Sequence, residues 1–216
     1  MNTIRTLHRT LQGLLLVCAL APLAQADVLA DVKRLQDRWA EINYQLEGKT
    51  QLSAFDQLVS EATALTAANP DAAEAWIWSG IIKSTYAGAK GGLGALALAK
   101  ASKADLEQAL ELNPQALQGS AYTSLGALYY SVPGWPVGFG DDELAEELLQ
   151  KALVQNPDGI DSNYFYGSFL VTEKRYVEAR QYLQKAQQAA PREGRALADA
   201  GRKQEIVEAL ASIAVE

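Results

Sequence analysis

Cysteine, histidine and methionine are nearly absent from this 216-residue chain, which has one of each. All three, Met1, His8 and Cys18, lie within the first 18 residues. The rest of the chain therefore cannot form a Ser-His-Asp or Cys-His catalytic pair, a Cys/His zinc site, a haem site with His, Cys or Met ligands, or a disulfide. An enzyme would have only Asp, Glu, Lys, Tyr and Ser, and no pair of these is spaced convincingly. We expect no catalysis, no cofactor and no bound metal.

Positive charge is also scarce. The chain has 19 Lys and Arg against 26 Asp and Glu. Without Arg5 and Arg9, which belong to the N-terminal segment described next, the balance is 17 against 26, a net charge of −9. Coulomb repulsion opposes the approach of such a chain to a nucleic-acid backbone or to an anionic membrane surface. We therefore expect neither as a partner.

Residues 1–26 have the three zones of a secretory signal peptide. Arg5 and Arg9 give a positive start, an apolar stretch covers 11–20, and Ala24-Gln25-Ala26 provides the small-x-small pattern of a cleavage site. The apolar stretch is shorter than the roughly 20 residues that span a bilayer. We expect cleavage after Ala26. Residues 27–216, which contain no membrane span in this prediction, would then be exported to the periplasm or the medium.

Proline recurs at nearly regular intervals. Pro70, Pro114, Pro157 and Pro191 are separated by 44, 43 and 34 residues, and the first three follow Asn. Each proline closes a run of helix-forming residues, such as ELLQKALVQNP, and proline cannot continue a helix. Each run therefore predicts the second helix of a repeating unit. The preceding helices share a glycine among aromatic residues, as in NYFYGSFL, which lets a neighbouring helix approach closely.

This pattern resembles the tetratricopeptide repeat (TPR), a 34-residue helix-turn-helix unit. The last two units match it residue by residue, at Tyr122, Leu125, Gly126, Tyr129, Ala145, Leu149, Ala152 and Pro157, and at Tyr166, Gly167, Ala179, Leu183, Ala186 and Pro191. An earlier unit matches in less detail, at Trp76, Gly80, Leu106, Ala109 and Pro114, and the unit ending at Pro70 matches least. The resemblance implies one all-α domain, 27–216, with a TPR-like superhelix of about nine helices. Its units cover about 35–70, 71–114, 115–157 and 158–191, and a capping helix covers about 199–214.

The two longer spacings predict insertions between the helices of a unit, YAGAKGGLGALALAK and SVPGWPVGFGDDE. Both are expected to be loops that project from one side of the superhelix. In the first, Gly92-x-Gly94-x-x-Ala97 has the form of a dinucleotide fingerprint, but no strand precedes it. The glycines therefore predict a turn and a helix start, and the alternative is an anion site at that start with Lys90 nearby.

The second insertion is the least ordinary segment. Trp135 lies between Pro133 and Pro136, and Phe139 lies between two glycines. Prolines stiffen a loop, while glycines permit tight turns. Two interpretations stay open: a stiff loop that displays both aromatic side chains as a binding surface, or a loop that folds both back over the adjacent repeats.

The resemblance also implies a concave groove lined by the first helix of each unit. Small, hydroxylated or aromatic residues face it, among them Thr123, Tyr130, Tyr164 and Ser168. These positions lack the Lys, Arg and Asn cluster with which similar proteins clamp an acidic peptide terminus. A groove for an apolar or polar ligand, or for a partner helix, stays open.

The leading hypothesis is an exported, non-enzymatic scaffold that binds a protein partner through the groove and the inserted loops. Its candidate contact residues are Trp135, Phe139, Tyr130, Tyr164, Thr123, Ser168 and Lys90. The chain, with its Pro-Gly-Trp loop, also resembles the T component of tripartite ATP-independent periplasmic (TRAP) transporters, a family of exported helical repeat proteins. That resemblance implies a second hypothesis, an accessory or ligand-binding component whose partner is a periplasmic solute-binding protein.

Overall fold

The computed structural model describes residues 27–213, so the predicted signal peptide lies outside the described residues. Within this range the chain forms nine α-helices, one short 3-10 helix and no strand, which confirms the all-α prediction. The helices are α1 (27–45), α2 (Gly48–Ala68), α3 (Ala73–Lys90), α4 (Gly92–Leu112), α5 (Ser120–Ser131), α6 (Asp142–Gln155), α7 (Ile160–Thr172), α8 (Tyr176–Gln187) and α9 (Ala196–Ser212).

Consecutive helices form hairpins that stack on one another. Among α2 to α9, the pairs α3–α4, α5–α6 and α7–α8 make the most extensive contacts, and each pair also packs against the next helix along the chain. The α1–α2 pair is bridged by an ion pair between Arg38 and Glu61. The last helix, α9, packs on both α7 and α8, as the first helix of a further unit would. One continuous hydrophobic core runs through the stack.

Three of the four prolines lie just after a helix end, as the sequence predicts, with one asparagine in between. Helices α2, α4 and α6 end one residue before Asn69, Asn113 and Asn156, each of which precedes a proline. The carbonyl oxygen of each Asn accepts a hydrogen bond from a backbone N–H three residues later, at 3.1, 3.1 and 3.2 Å. The same short turn therefore begins each link from one unit to the next, and in the second link the 3-10 helix Ala116–Gly119 follows it. The fourth proline differs, because α8 ends at Gln187, four residues before Pro191.

In the hairpins α3–α4, α5–α6 and α7–α8, a glycine of the first helix lies against a leucine of the second. A methyl group placed on Gly80 would lie 2.6 Å from Leu106 Cγ. The equivalent distances are 2.7 Å from Gly126 to Leu149 and 2.8 Å from Gly167 to Leu183. All three leucines are fully buried. The predicted close approach of the helices at these glycines is confirmed, and it fixes the spacing of the hairpins.

The prediction of a loop for the first insertion is wrong. Residues such as alanine, leucine and lysine favour helix strongly, and they extend α3 to Lys90 and start α4 at Gly92. Only Gly91 separates the two helices, and Gly91 and Gly92 both have φ of 61°, a conformation that favours glycine. The insertion is therefore a longer helical hairpin with a turn at its tip. The second insertion is a loop, as predicted.

Candidate functional site

The second insertion, which we call the Trp135 loop (residues 132–141), is held by backbone hydrogen bonds. Gly140 N donates to Pro133 O at 3.0 Å, and Gly138 N donates to Gly134 O at 3.1 Å. Asp141 N donates to Tyr129 O of α5 at 3.2 Å. These bonds close the loop on itself and fasten it to α5, so its shape is set before any partner binds.

Phe139 folds inward and anchors the loop. Its ring lies edge-on to Tyr129, with the centroids 5.6 Å apart. Lys103 Nζ of α4 lies 5.9 Å from the Phe139 centroid and 5.8 Å from that of Tyr129. Glu107 pairs with this lysine at 2.5 Å. Phe139 thus fixes the loop to α4 and α5 instead of presenting its ring to a partner.

Trp135 does the opposite. Its side chain is 90% exposed and that of Val137 is 65% exposed, while Trp39 and Trp78 are buried. The Trp135–Pro136 peptide bond is cis. A large apolar side chain held in water on a fixed loop is typical of a binding surface. Each of the two interpretations of this loop therefore holds for one aromatic residue: Phe139 packs inward and Trp135 points outward.

Replacing Gly140 with alanine is expected to deform the Trp135 loop, because the new methyl group would lie 1.8 Å from the carbonyl oxygen of Val132. Backbone atoms at that distance must move apart. We expect the free energy of unfolding to fall by about 1–3 kcal/mol, the usual cost of overpacking. Chemical denaturation followed by circular dichroism measures it.

The matched control for Gly140→Ala is Gly88→Ala in α3, where a methyl group would meet no heavy atom within 4 Å. Gly88→Ala is expected to stabilise the protein by about 0.5–1 kcal/mol, because alanine favours helix. Unchanged stability of Gly140→Ala would show that the loop has no fixed shape.

The concave side of the stack is occupied by α9. Arg202 is only 9% exposed, and its Nε donates to Asp161 Oδ1 of α7 at 2.9 Å. Its guanidinium lies 4.3 Å from the Tyr164 centroid and 4.6 Å from that of Phe165. Glu205 forms a second ion pair with it. Tyr164, which is expected to line an open groove, therefore packs against an arginine of the same chain.

The α9 region also reaches the start of the stack. A methyl group placed on Gly201 would lie 2.3 Å from Tyr44 Cδ1 of α1, so the two helices touch there. Arg195, just before α9, lies 5.0 Å from the centroid of Trp78 in α3. The structure thus differs from the open groove expected from the sequence, because the fifth inner helix meets the first.

Ion pairs stabilise the charged side chains on the face that α9 covers. Arg192 Nη1 donates to Asp161 Oδ2 at 2.6 Å, and Arg192 also pairs with Asp199. Burial by itself would raise the pKa of Asp161, but the positive charges of Arg202 and Arg192 outweigh it and hold the pKa below its usual value. The groove positions predicted from the sequence carry no arginine, but residues 192–202 bring arginines to the same face, and carboxylates of the same chain bind them.

The remaining candidate residues lie apart from the Trp135 loop. The side chain of Thr123 is 6% exposed, and that of Ser168 is half-buried. Burial raises the pKa of Tyr130, and the nearby Tyr164 raises it further. Lys90 is exposed at the tip of the α3–α4 hairpin, 5.0 Å from the Tyr86 centroid. The structure places Tyr130 and Tyr164 on the face that α9 covers. Lys90 lies outside both this face and the Trp135 loop.

Neither a metal-binding cluster nor a membrane-spanning helix is found in the part of the chain that the structure describes. Between residues 27 and 213, no group of three or more His, Cys, Asp or Glu side chains is placed to hold a metal ion. None of the helices in that range combines the length and apolarity needed to cross a bilayer.

Comparison with solved structures gives the fold. The chain is similar to TTC0263, a thermophilic TPR protein of Thermus thermophilus, with a TM-score of 0.57 and 16% identity over 76% of each chain. MamA (TM-score 0.45, 19% identity, 76% of this chain and 90% of that one) and PilF of Pseudomonas aeruginosa (0.35, 15%, 85% and 90%) superpose less well. No family model matches the sequence, and no curated protein does. At such low sequence identity, structural similarity supports the fold and nothing further. The chain has a TPR-like fold.

Proposed function

We propose that this protein is an exported, non-enzymatic scaffold that binds a protein partner through the Trp135 loop. The observation that carries the proposal is the 90% exposed indole of Trp135 on a loop closed by its own hydrogen bonds. The TPR-like fold supports it, since stacked helical repeats present extended binding surfaces. Export rests on the signal-peptide pattern of residues 1–26.

The loop is a better candidate than the concave face for a physical reason. A partner entering the concave face would have to displace Arg202 from Asp161 and from two aromatic rings. A partner of the loop displaces only water from Trp135 and Val137. Because the loop is already ordered, little conformational entropy is lost on binding.

Replacing Trp135 with alanine is expected to weaken partner binding about 30-fold or more. This corresponds to the roughly 2 kcal/mol or more that a tryptophan at the centre of an interface contributes. The tagged chain is used to isolate partners from an extract of exported proteins. The partner is then identified by mass spectrometry, purified and titrated with each variant.

The matched control for Trp135→Ala is Val154→Ala on α6, which removes another exposed apolar side chain (83% exposed) outside the loop. It is expected to leave the affinity unchanged. Both variants should keep the helical circular dichroism of the natural chain, because neither side chain is in the core. Equal affinity of Trp135→Ala and the natural chain would remove the loop from the proposal.

A second candidate is an accessory component of a periplasmic TRAP-type transport system, with a solute-binding protein as partner. The feature that favours it is the inserted Pro-Gly-Trp loop, whose sequence supports the family resemblance and whose Trp135 is exposed. This candidate predicts that the coding region adjoins genes for a solute-binding protein and two membrane subunits. A retained small molecule in a native mass spectrum favours ligand carriage over scaffolding alone. An unrelated gene neighbourhood contradicts the transport assignment.

A further inference from the structure

Acidic side chains border the exposed tip of the Trp135 loop. Asp141 is the last residue of the loop, Asp142 and Glu143 follow it directly, and all three are exposed. Asp141 Oδ1 accepts a hydrogen bond from Leu144 N at 3.0 Å and so caps α6. Between residues 27 and 213, no lysine or arginine lies within ion-pair distance of any of the three.

The lysine that lies against the loop is already neutralised. Lys103 lies against Phe139 and is paired with Glu107 at 2.5 Å. The tip and its border therefore combine two apolar side chains with three uncompensated negative charges, on a chain whose residues 27–216 carry a net charge of −9.

We propose that Trp135 and Val137 insert together into an apolar pocket on a protein partner, and that lysine or arginine side chains on the rim of that pocket pair with Asp141, Asp142 and Glu143. This inference rests on the proposed function and adds the chemistry of the partner. Desolvated apolar contact supplies affinity, whereas opposite charges at a solvated rim raise the rate of association and fix the orientation. The same charges oppose binding to an anionic lipid surface, because like charges repel.

The loop is suited to insertion because its anchor and its tip are separate. Phe139 packs against α4 and α5, and the hydrogen bonds of Gly138 and Gly140 hold the backbone between anchor and tip. Trp135 can therefore enter a pocket without loss of the inward contacts.

The test substitutes a photoreactive benzophenone side chain for Trp135 in the full exported chain and irradiates it in an extract of exported proteins. A second copy of the chain, and vesicles of phosphatidylcholine with and without phosphatidylglycerol, are irradiated with it separately. The expected result is a crosslink to one protein, at a peptide that lines an apolar pocket bordered by lysine or arginine. Crosslinking to the chain itself or to either kind of vesicle, in place of such a protein, overturns the inference.

Charge is tested with the purified partner. The double variant Asp142→Asn/Glu143→Gln is expected to lower the association rate constant about five- to tenfold at low salt and to flatten its dependence on salt. The matched control is Asp71→Asn/Glu111→Gln, which makes the same change of charge. Both control residues are exposed and lie beside Asn-Pro turns, at the other end of the helices from the loop.

The two proposals fail separately. If Trp135→Ala abolishes binding but both charge variants associate at the natural rate, the basic rim is wrong and the proposed function stands. If Trp135→Ala binds like the natural chain, the proposed use of the loop fails and this inference fails with it.

Discussion

Replacing Arg202 with alanine is expected to lower the free energy of unfolding by about 2–3 kcal/mol, because it breaks an ion-pair network around a buried guanidinium and removes its packing on two aromatic rings. Asp161 would keep only Arg192, and Tyr164 and Phe165 would lose the guanidinium that packs on both rings. Urea denaturation at neutral pH measures the change.

A surface arginine provides the control for Arg202→Ala. The side chain of Arg34 is 71% exposed and pairs with Asp31, and Arg34→Ala is expected to change stability by at most about 0.5 kcal/mol. The double variant Arg202→Met/Asp161→Asn is expected to recover part of the loss, since it removes both charges of the pair. A loss below about 1 kcal/mol for Arg202→Ala would contradict the view that α9 is fixed through this residue.

Acid should reduce the stability that this ion pair contributes. The pKa of Asp161 is lower in the folded protein than in the unfolded chain, where it is about 3.9. Its contribution is therefore complete above the unfolded pKa and is lost as the pH falls through the folded pKa. We expect the difference in stability between the natural chain and Arg202→Ala to be largest at neutral pH and to shrink below about pH 4. A constant difference down to pH 2 would contradict this assignment of charge.

The second large effect on stability is expected at the contact between helices α5 and α6. Leu149→Ala should cost about 2–5 kcal/mol, because Leu149 is fully buried and its loss leaves a cavity. Gly126→Ala should cost about 1–3 kcal/mol, since its methyl group would lie 2.7 Å from Leu149 Cγ.

The double variant Gly126→Ala/Leu149→Ala distinguishes this contact from two independent effects. The new methyl group would enter the space that the leucine leaves, so the combined loss should be smaller than the sum by about 0.5–3 kcal/mol. Gly88→Ala with Leu149→Ala is the matched control, expected to be additive within about 0.5 kcal/mol because a methyl group on Gly88 would contact no other part of the fold within 4 Å. Denaturation of all the variants under one condition provides the comparison. Additivity of the first pair would mean that the two residues do not touch.

Local pattern was enough to predict the repeat. The Asn-Pro pairs at Pro70, Pro114 and Pro157 mark helix ends because proline interrupts helical hydrogen bonding whatever surrounds it. Gly126 and Leu149 meet because helices joined by a short connection must pack side by side, and a glycine among large residues marks where they come closest. Pattern misled at YAGAKGGLGALALAK, where the longer repeat spacing suggested a projecting loop but alanine, leucine and lysine continued both helices to a glycine turn.

The sequence by itself therefore determined a TPR-like helical stack and the presence of an inserted loop with Trp135 and Phe139. Only the tertiary structure decided which of these two rings points outward, because that depends on Tyr129 and Lys103 from two other helices. It also decided that α9 meets α1 and closes the concave face. Helical period and turn chemistry act over a few neighbouring residues, whereas the meeting of first and last helices depends on the summed rotations of all the units between them.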